Sequence, residues 1–332
     1  MQFTNEELKT KIQELKDKLS VTVVAHFYQR DEVFEVGDIT GDSLELATRT
    51  RDDDAEFVLF CGVGFMGQSV KVLSPNKRVV MPKIACCAMA SMIDGMQYDN
   101  TVKAMNEAGI KSENILPITY INSDAEVKAK VGEMGGLVCT SSNAKKIITT
   151  ALKEGKKILF VPDRCLGQNI ANQMGLKSCV VGDGSDMNEA DIICFDGFCS
   201  VHQLFTVGDI EFFRKKYKDI LIAVHPECDP AICDASDFVG STSQLIKYIA
   251  DLDPEQKVAV GTEFNMVNRL RPKNTYVLSS TKPECPTMNE TTLKDVYETL
   301  KAIDDGEPIN EIEVDENTQK WAKIALERMM AL

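Results

Sequence analysis

The sequence predicts an α/β fold with parallel sheets, laid down as three copies of one pattern, and three observations lead to it. Short β-rich runs alternate with stretches of helical periodicity, which is how βα units read. The runs are apolar on both parities, as in VTVVAHF, EFVLFC and RVVMP, so helices are expected on both faces of the sheet they form. The same two-part arrangement then recurs twice more along the 332 residues.

Thr4 and Glu7 form a capping box that opens a first helix ending near Ser20. The strand VTVVAHF follows, then a helix from about Ser43, the strand EFVLFC, a helix around Gly67 to Leu73 and the strand RVVMP. The first part of each repeat is a strand ending in polar residues and then a Ser/Thr-rich helix start: AHFYQ with GDSLELA, TYINSDAEVKA with CTSSNAKKI, and AVHPECDPA with GSTSQLIKY. The second part is a strand, a turn, a helix, another strand and a cysteine: VLFCGVGFMGQ leading to ACCAMA, ILFVPDRCLGQ to GFCSVH, and VAVGTEFNMV to PECPTM. This division gives domains 1–104, with the N-terminal helix and Cys87; 105–187; and 188–332, with Cys285 and a helical tail from about Thr318 that packs back on the body. Cys199 lies at the junction of the second and third.

Composition narrows the function. Apolar residues make up 44% and charged residues 27%, the usage of a folded soluble protein. Apolar runs such as Val21 to Phe27 are far below the roughly 20 residues a membrane span needs, and the charged N-terminus lacks the features of a signal peptide, so a cytoplasmic location without a membrane partner is expected. A formal charge of -14 argues against a nucleic-acid partner, because phosphates would be repelled by most of the surface. A site for an anionic substrate must then build its own positive potential, most readily from helix N-termini.

Eleven cysteines without a single CxxC pair point to reduced thiols or metal ligation assembled from distant segments, not to a zinc ribbon or a ferredoxin-type run. Cys87, Cys199 and Cys285 each close one repeat. Cys61, Cys139, Cys179 and Cys194 lie in or beside apolar runs and read as small buried hydrophobes, while composition leaves Cys86, Cys165, Cys228 and Cys233 open. The run from Gly62 to Gly67 spells GxGxxG after a strand, but no acidic residue ends the next strand, so a dinucleotide fingerprint is not supported.

The segments AHFYQRDEV, GDSLELA, LSPNKRVVMP with CAMASMI, YINSDAEVKA, CTSSNA, DGFCSVH, HPEC, DFVGSTS and ECPTM occur in this order between about residues 21 and 300, and together they resemble the quinolinate synthase family. The resemblance implies three Rossmann-like α/β/α domains related by pseudo-threefold symmetry around a central cavity. It also implies one 4Fe-4S cluster per chain, held by Cys87, Cys199 and Cys285, with CxMA selecting Cys87 over the adjacent Cys86. Three thiolates satisfy three irons and leave the fourth open as a Lewis acid. The turn at Gly64 and Gln68 departs from the family's usual bulky or basic residue and Glu, and KVGEMGG lengthens the second repeat ahead of Ser141.

The implied reaction is condensation of iminoaspartate with dihydroxyacetone phosphate to quinolinate, with loss of phosphate and water, in NAD biosynthesis. L-aspartate oxidase or aspartate dehydrogenase is the implied supplier of the imine. His26 and Tyr28, Tyr120 and Asn122, and His225 and Glu227 occupy matching strand ends, where α/β folds bind ligands, and His202 follows Cys199 by three residues. Glu227 is the expected general base, with Tyr28, His26, His225 and His202 as further proton-transfer candidates. Ser43, Ser141, Ser241 and Thr242 stand at expected helix starts, where hydroxyls can cap the helix and bind phosphate or carboxylate. An iron–sulfur hydro-lyase of other specificity and a noncatalytic iron–sulfur redox or oxygen sensor are the competing classes.

Overall fold

Runs that are apolar on both parities become strands buried on both faces. The computed structural model describes residues 3–270 and 274–332. Among them, the strands form three sheets whose pairs are all parallel, so the expected α/β class with parallel sheets holds. No described helix is long and apolar enough to cross a membrane.

By its contacts the chain divides into two compact units. The first, Met1–Cys87 with Glu284–Glu316, holds one sheet in the order β2-β1-β3-β4, with β1 at Thr22–His26, β2 at Ile39–Gly41, β3 at Phe57–Cys61 and β4 at Arg78–Val80. The helix Asn5–Leu19 opens on the expected Thr4–Glu7 capping box and ends at Ser20. Leu8 and Ile12 from that helix meet Val23, Leu59, Val296 and Leu300 in one apolar core. Lys16 is buried in the same helix, and its ammonium is held 2.7 Å from Asp38 Oδ1 and 2.9 Å from the Val36 carbonyl.

The second unit, Ala88–Pro283 with Asn317–Leu332, carries two sheets. One runs β6-β5-β7-β9-β8, with β5 at Ile115–Tyr120, β6 at Leu137–Cys139, β7 at Lys157–Val161, β8 at Ser178–Val180 and β9 at Ile192–Cys194. The other runs β11-β10-β12-β13, with β10 at Leu221–Val224, β11 at Phe238–Val239, β12 at Val258–Gly261 and β13 at Thr275–Val277. Each has its own core, around Ile115, Leu159 and Ile193 in the first and Ile222, Ala259 and Leu278 in the second. The tail helix Glu316–Met330 belongs to this unit, where Arg328 donates to the carbonyls of Gly132 and Gly136.

The first three strands of each set take the same order, the second sheet adding a fifth strand, and the agreement extends to detail. Helices after the third strand of each set begin at Gly64, Arg164 and Phe264. Asp38 Oδ2 accepts the Val23 N–H at 2.9 Å, and Asp237 Oδ2 accepts the Ile222 N–H at 2.8 Å, the same lock at the same place in two sheets. A Cβ on Gly64 would make only ordinary contact with the Ala85 carbonyl and Ile84, whereas a Cβ on Gly67 would press on Met81 and Ile312, so Gly67 is there for close packing.

Candidate active site

Strands deliver side chains at their carboxyl ends, and in the second unit two such ends meet. Tyr120 is the last residue of β5, while His225 and Glu227 lie just beyond β10. The Tyr120 hydroxyl donates to Glu227 Oε1 at 2.7 Å. His202 Nδ1 lies 3.0 Å from Glu227 Oε2, and its Nε2 lies 3.0 Å from Thr262 Oγ1. The His202 and His225 rings stack with centroids 4.7 Å apart, and His225 Nδ1 is 3.7 Å from Glu227 Oε1. Cys199 is half-buried, and donor atoms of Cys199, His202 and Glu227 all fall within 4.8 Å of one another.

Glu227 is 3% exposed, and a carboxylate so buried is costly unless charge and hydrogen bonds compensate. Burial pushes its carboxyl up, but His225, His202 and the Tyr120 hydroxyl outweigh burial and bring it down to about 2. Asp163 has the opposite fate. It is fully buried just after β7, where Oδ1 caps the following helix by accepting the Leu166 N–H at 2.8 Å and Oδ2 has no hydrogen-bond partner among the described residues. Burial first, and then the Glu227 charge, raise its carboxyl well above the ordinary range, the opposite direction from Glu227.

A second group of hydroxyls lies in the same unit. Ser142 Oγ donates to Ser241 Oγ at 2.9 Å. Ser241 caps the helix Thr242–Asp251 through a box with Gln244, and Ser142 stands one residue before Asn143, the N-cap of Ala144–Ala151. Two helix N-termini therefore begin at this contact, an arrangement that favours anions. Asn122 Oδ1 and Thr140 Oγ1 are buried without hydrogen-bond partners among the described residues, as acceptors that a ligand's donors would satisfy.

The first unit repeats the strand-end geometry. His26 ends β1, and its Nδ1 accepts the Tyr28 N–H at 3.1 Å; in the other unit His225 Nδ1 accepts the Glu227 N–H at 3.3 Å. The His26 and Tyr28 rings meet edge to face at 4.8 Å. Cys87 and Cys285 are half-buried there, Cys285 with its Sγ 3.4 Å from Thr287 Oγ1. Cys86 is exposed, and the remaining seven cysteines are buried.

Three helix-start residues are not the caps themselves. Ser43 is not a cap: it is the first residue of Ser43–Arg51, and Asp42 caps that helix with Glu45 closing the box. Ser141 precedes the Asn143 cap by two residues, and it is Ser142 that reaches Ser241. Thr242 is likewise the first helical residue behind the Ser241 cap.

Sequence reading also passed over Asp163, Thr262 and Asn169. Asn169 Nδ2 donates to the carbonyls of Pro226 and Cys228, both at 2.8 Å, and so clamps the loop that bears Glu227. The signal available was positional: Asp163 and Glu263 precede equivalent helices, and Glu263 Oε2 accepts the Asn265 N–H at 2.8 Å in a comparable cap.

With this geometry established, comparison with known proteins is informative. The family model described as "Quinolinate synthetase A protein" matches residues 10–331. A protein named quinolinate synthase from Helicobacter pylori (strain HPAG1) is 54% identical, over 99% of this chain and 99% of its own length. Those of Streptomyces coelicolor and Listeria innocua are 38% and 39% identical, over 98% and 99% of this chain and 88% and 95% of their own lengths.

Proposed function

The chain belongs to the quinolinate synthase family, and from that premise we propose that it makes quinolinate for NAD biosynthesis by a transferase-type, dehydrating condensation of iminoaspartate with dihydroxyacetone phosphate, releasing phosphate and water. The observation that carries this reading is Glu227, a buried carboxylate held ionised between Tyr120 and the stacked His202 and His225. A carboxylate fixed in that way can take a proton from a substrate carbon or nitrogen and return it elsewhere.

Cys87, Cys199 and Cys285 are the proposed ligands of a 4Fe-4S cluster. The donor set suits one: these three thiols are half-buried, while burial pushes thiols such as Cys61, Cys139 and Cys194 up and away from the thiolate form a metal needs. When bound, such a cluster supplies an iron with an open position that polarises a substrate oxygen or nitrogen. A reducing compartment, the cytoplasm, suits a thiolate-rich chain of this kind.

The protein's own side chains bind and orient. Ser241 and Thr242, with Ser141 and Ser142 beside them, offer hydroxyls and two helix N-termini to phosphate or carboxylate, and Asn122 adds an amide for a carboxylate. Ser43, at the first turn of its helix, is the equivalent hydroxyl of the first repeat. Tyr120 fixes the direction of Glu227, His202 and His225 share its charge, and His26 with Tyr28 offers a further proton-transfer pair. An imine of this type hydrolyses in water, so an amine-oxidising partner such as L-aspartate oxidase or aspartate dehydrogenase would supply it. The test is product analysis under anaerobic conditions: cluster-loaded protein given both substrates yields quinolinate, and its absence with an intact cluster overturns the reading.

A further inference from the structure

Cys199, His202 and Glu227 bring three kinds of metal donor together inside one unit, within 4.8 Å of one another. We infer that the chain lacking its cluster binds one divalent cation of borderline softness, zinc above all, on Cys199 Sγ, His202 Nδ1 and Glu227 Oε2. The inference does not rest on the cluster assignment. Were Cys199 no cluster ligand, the three donors would stand where they are.

The geometry around the donors is that of a supported site. His202 is 1% exposed, and its Nδ1 points at Glu227 Oε2 from 3.0 Å, so a nitrogen and an oxygen donor already face one another. Its other nitrogen, Nε2, is 3.0 Å from Thr262 Oγ1, so that hydroxyl can take an Nε2–H and fix the ring when a metal replaces the proton at Nδ1. Glu227 Oε1 is taken by the Tyr120 hydroxyl at 2.7 Å, which leaves Oε2 turned toward His202.

Around tetrahedral zinc, with bonds of about 2.0–2.3 Å, donors lie roughly 3.3–3.6 Å apart. The nitrogen and oxygen are near that spacing already, and the sulfur needs a movement of about an ångström, within reach of a side-chain rotation at a half-buried cysteine. A thiolate and a carboxylate neutralise the dication, and a water completes the set, as in sites with three protein ligands. Binding breaks the Cys199 S–H bond and displaces the proton that His202 Nδ1 shares with Glu227, and both protons go to solvent.

Cobalt is the probe, because thiolate ligation gives it a near-ultraviolet charge-transfer band and tetrahedral geometry gives intense visible bands. The full chain, freed of iron anaerobically and kept reduced, should take up one Co2+ with both signatures and lose them to one equivalent of Zn2+. Cys199→Ser should abolish the charge-transfer band. His202→Ala and Glu227→Gln should each weaken binding at least about tenfold, and Thr262→Val, which only frees the His202 ring, should do so by about 10-fold. Cys87→Ser and Cys285→Ser should bind cobalt as the parent does. Cobalt binding that is lost in those last two variants, that survives His202→Ala and Glu227→Gln unchanged, or that never reaches one ion per chain would overturn the assignment.

Discussion

The Tyr120 hydroxyl reaches across 107 positions of sequence to donate to Glu227 Oε1 at 2.7 Å, tying the end of one sheet to the end of another. A hydrogen bond to a buried charged group contributes about 1.5–3 kcal/mol. Tyr120→Phe should therefore lower kcat/KM roughly 10–100-fold with the fold intact, while Glu227→Gln should cost more than about 100-fold. Steady-state quinolinate formation on cluster-matched samples measures both, and full turnover of Glu227→Gln would remove it from the chemistry.

Burial and the Glu227 charge favour the protonated form of Asp163, so its amide analogue should replace it well. Asp163→Asn retains an acceptor for the Leu166 N–H and should change unfolding free energy by less than about 1 kcal/mol. Asp163→Ala, which loses the cap, should cost about 0.5–2 kcal/mol. Denaturant midpoints at neutral pH compare them, and an asparagine variant as destabilised as the alanine one would mean that the acid is ionised there.

Lys128 is fully buried in the helix Ala125–Glu133, and its ammonium donates to the Ser123 carbonyl beneath the loop that follows Tyr120. Burial brings it down to about 7, against the opposing charge of Asp124. The unfolded chain, with an ordinary lysine value near 10.5, holds this proton more tightly than the folded one. Folding then releases a proton between about pH 7 and 10.5, and this group's contribution to stability rises with pH across that window. Lys128→Met removes the titration, so its stability relative to the parent should fall as pH goes from about 7 to about 9.5. A difference that stays constant over that range would contradict the burial argument.

Gly132 faces the backbone of the tail helix, where an added Cβ would collide with the Trp321 carbonyl oxygen. Gly132→Ala should lift that helix away and cost about 1–3 kcal/mol. Limited proteolysis should then cut near residue 316 much earlier than in the parent, and unchanged cleavage would show that the tail does not dock through this surface.

Strand ends were legible because His26, Tyr120 and His225 are polar residues closing apolar runs, and three such closures in register announce three sheets. Helix starts were less so. In GDSLELA both Asp42 and Ser43 are good caps, and the Asp42–Glu45 spacing decides it, since Asp42 accepts the N–H groups of both Leu44 and Glu45. Asp163 was legible only by its position ahead of a helix: a lone acid after a proline looks like a turn residue, and its raised carboxyl depends on burial and then on Glu227, far along the chain. Thr262 is an ordinary residue until His202 comes to rest beside it.

The proposed three-thiolate cluster is tested most directly by iron and acid-labile sulfide content after anaerobic reconstitution of the parent, Cys87→Ala, Cys199→Ala and Cys285→Ala. The account predicts about four irons and four sulfides per chain in the parent. Each variant should fall well below that, while Cys86→Ala matches the parent. Parent-level content in any of the three variants would contradict it.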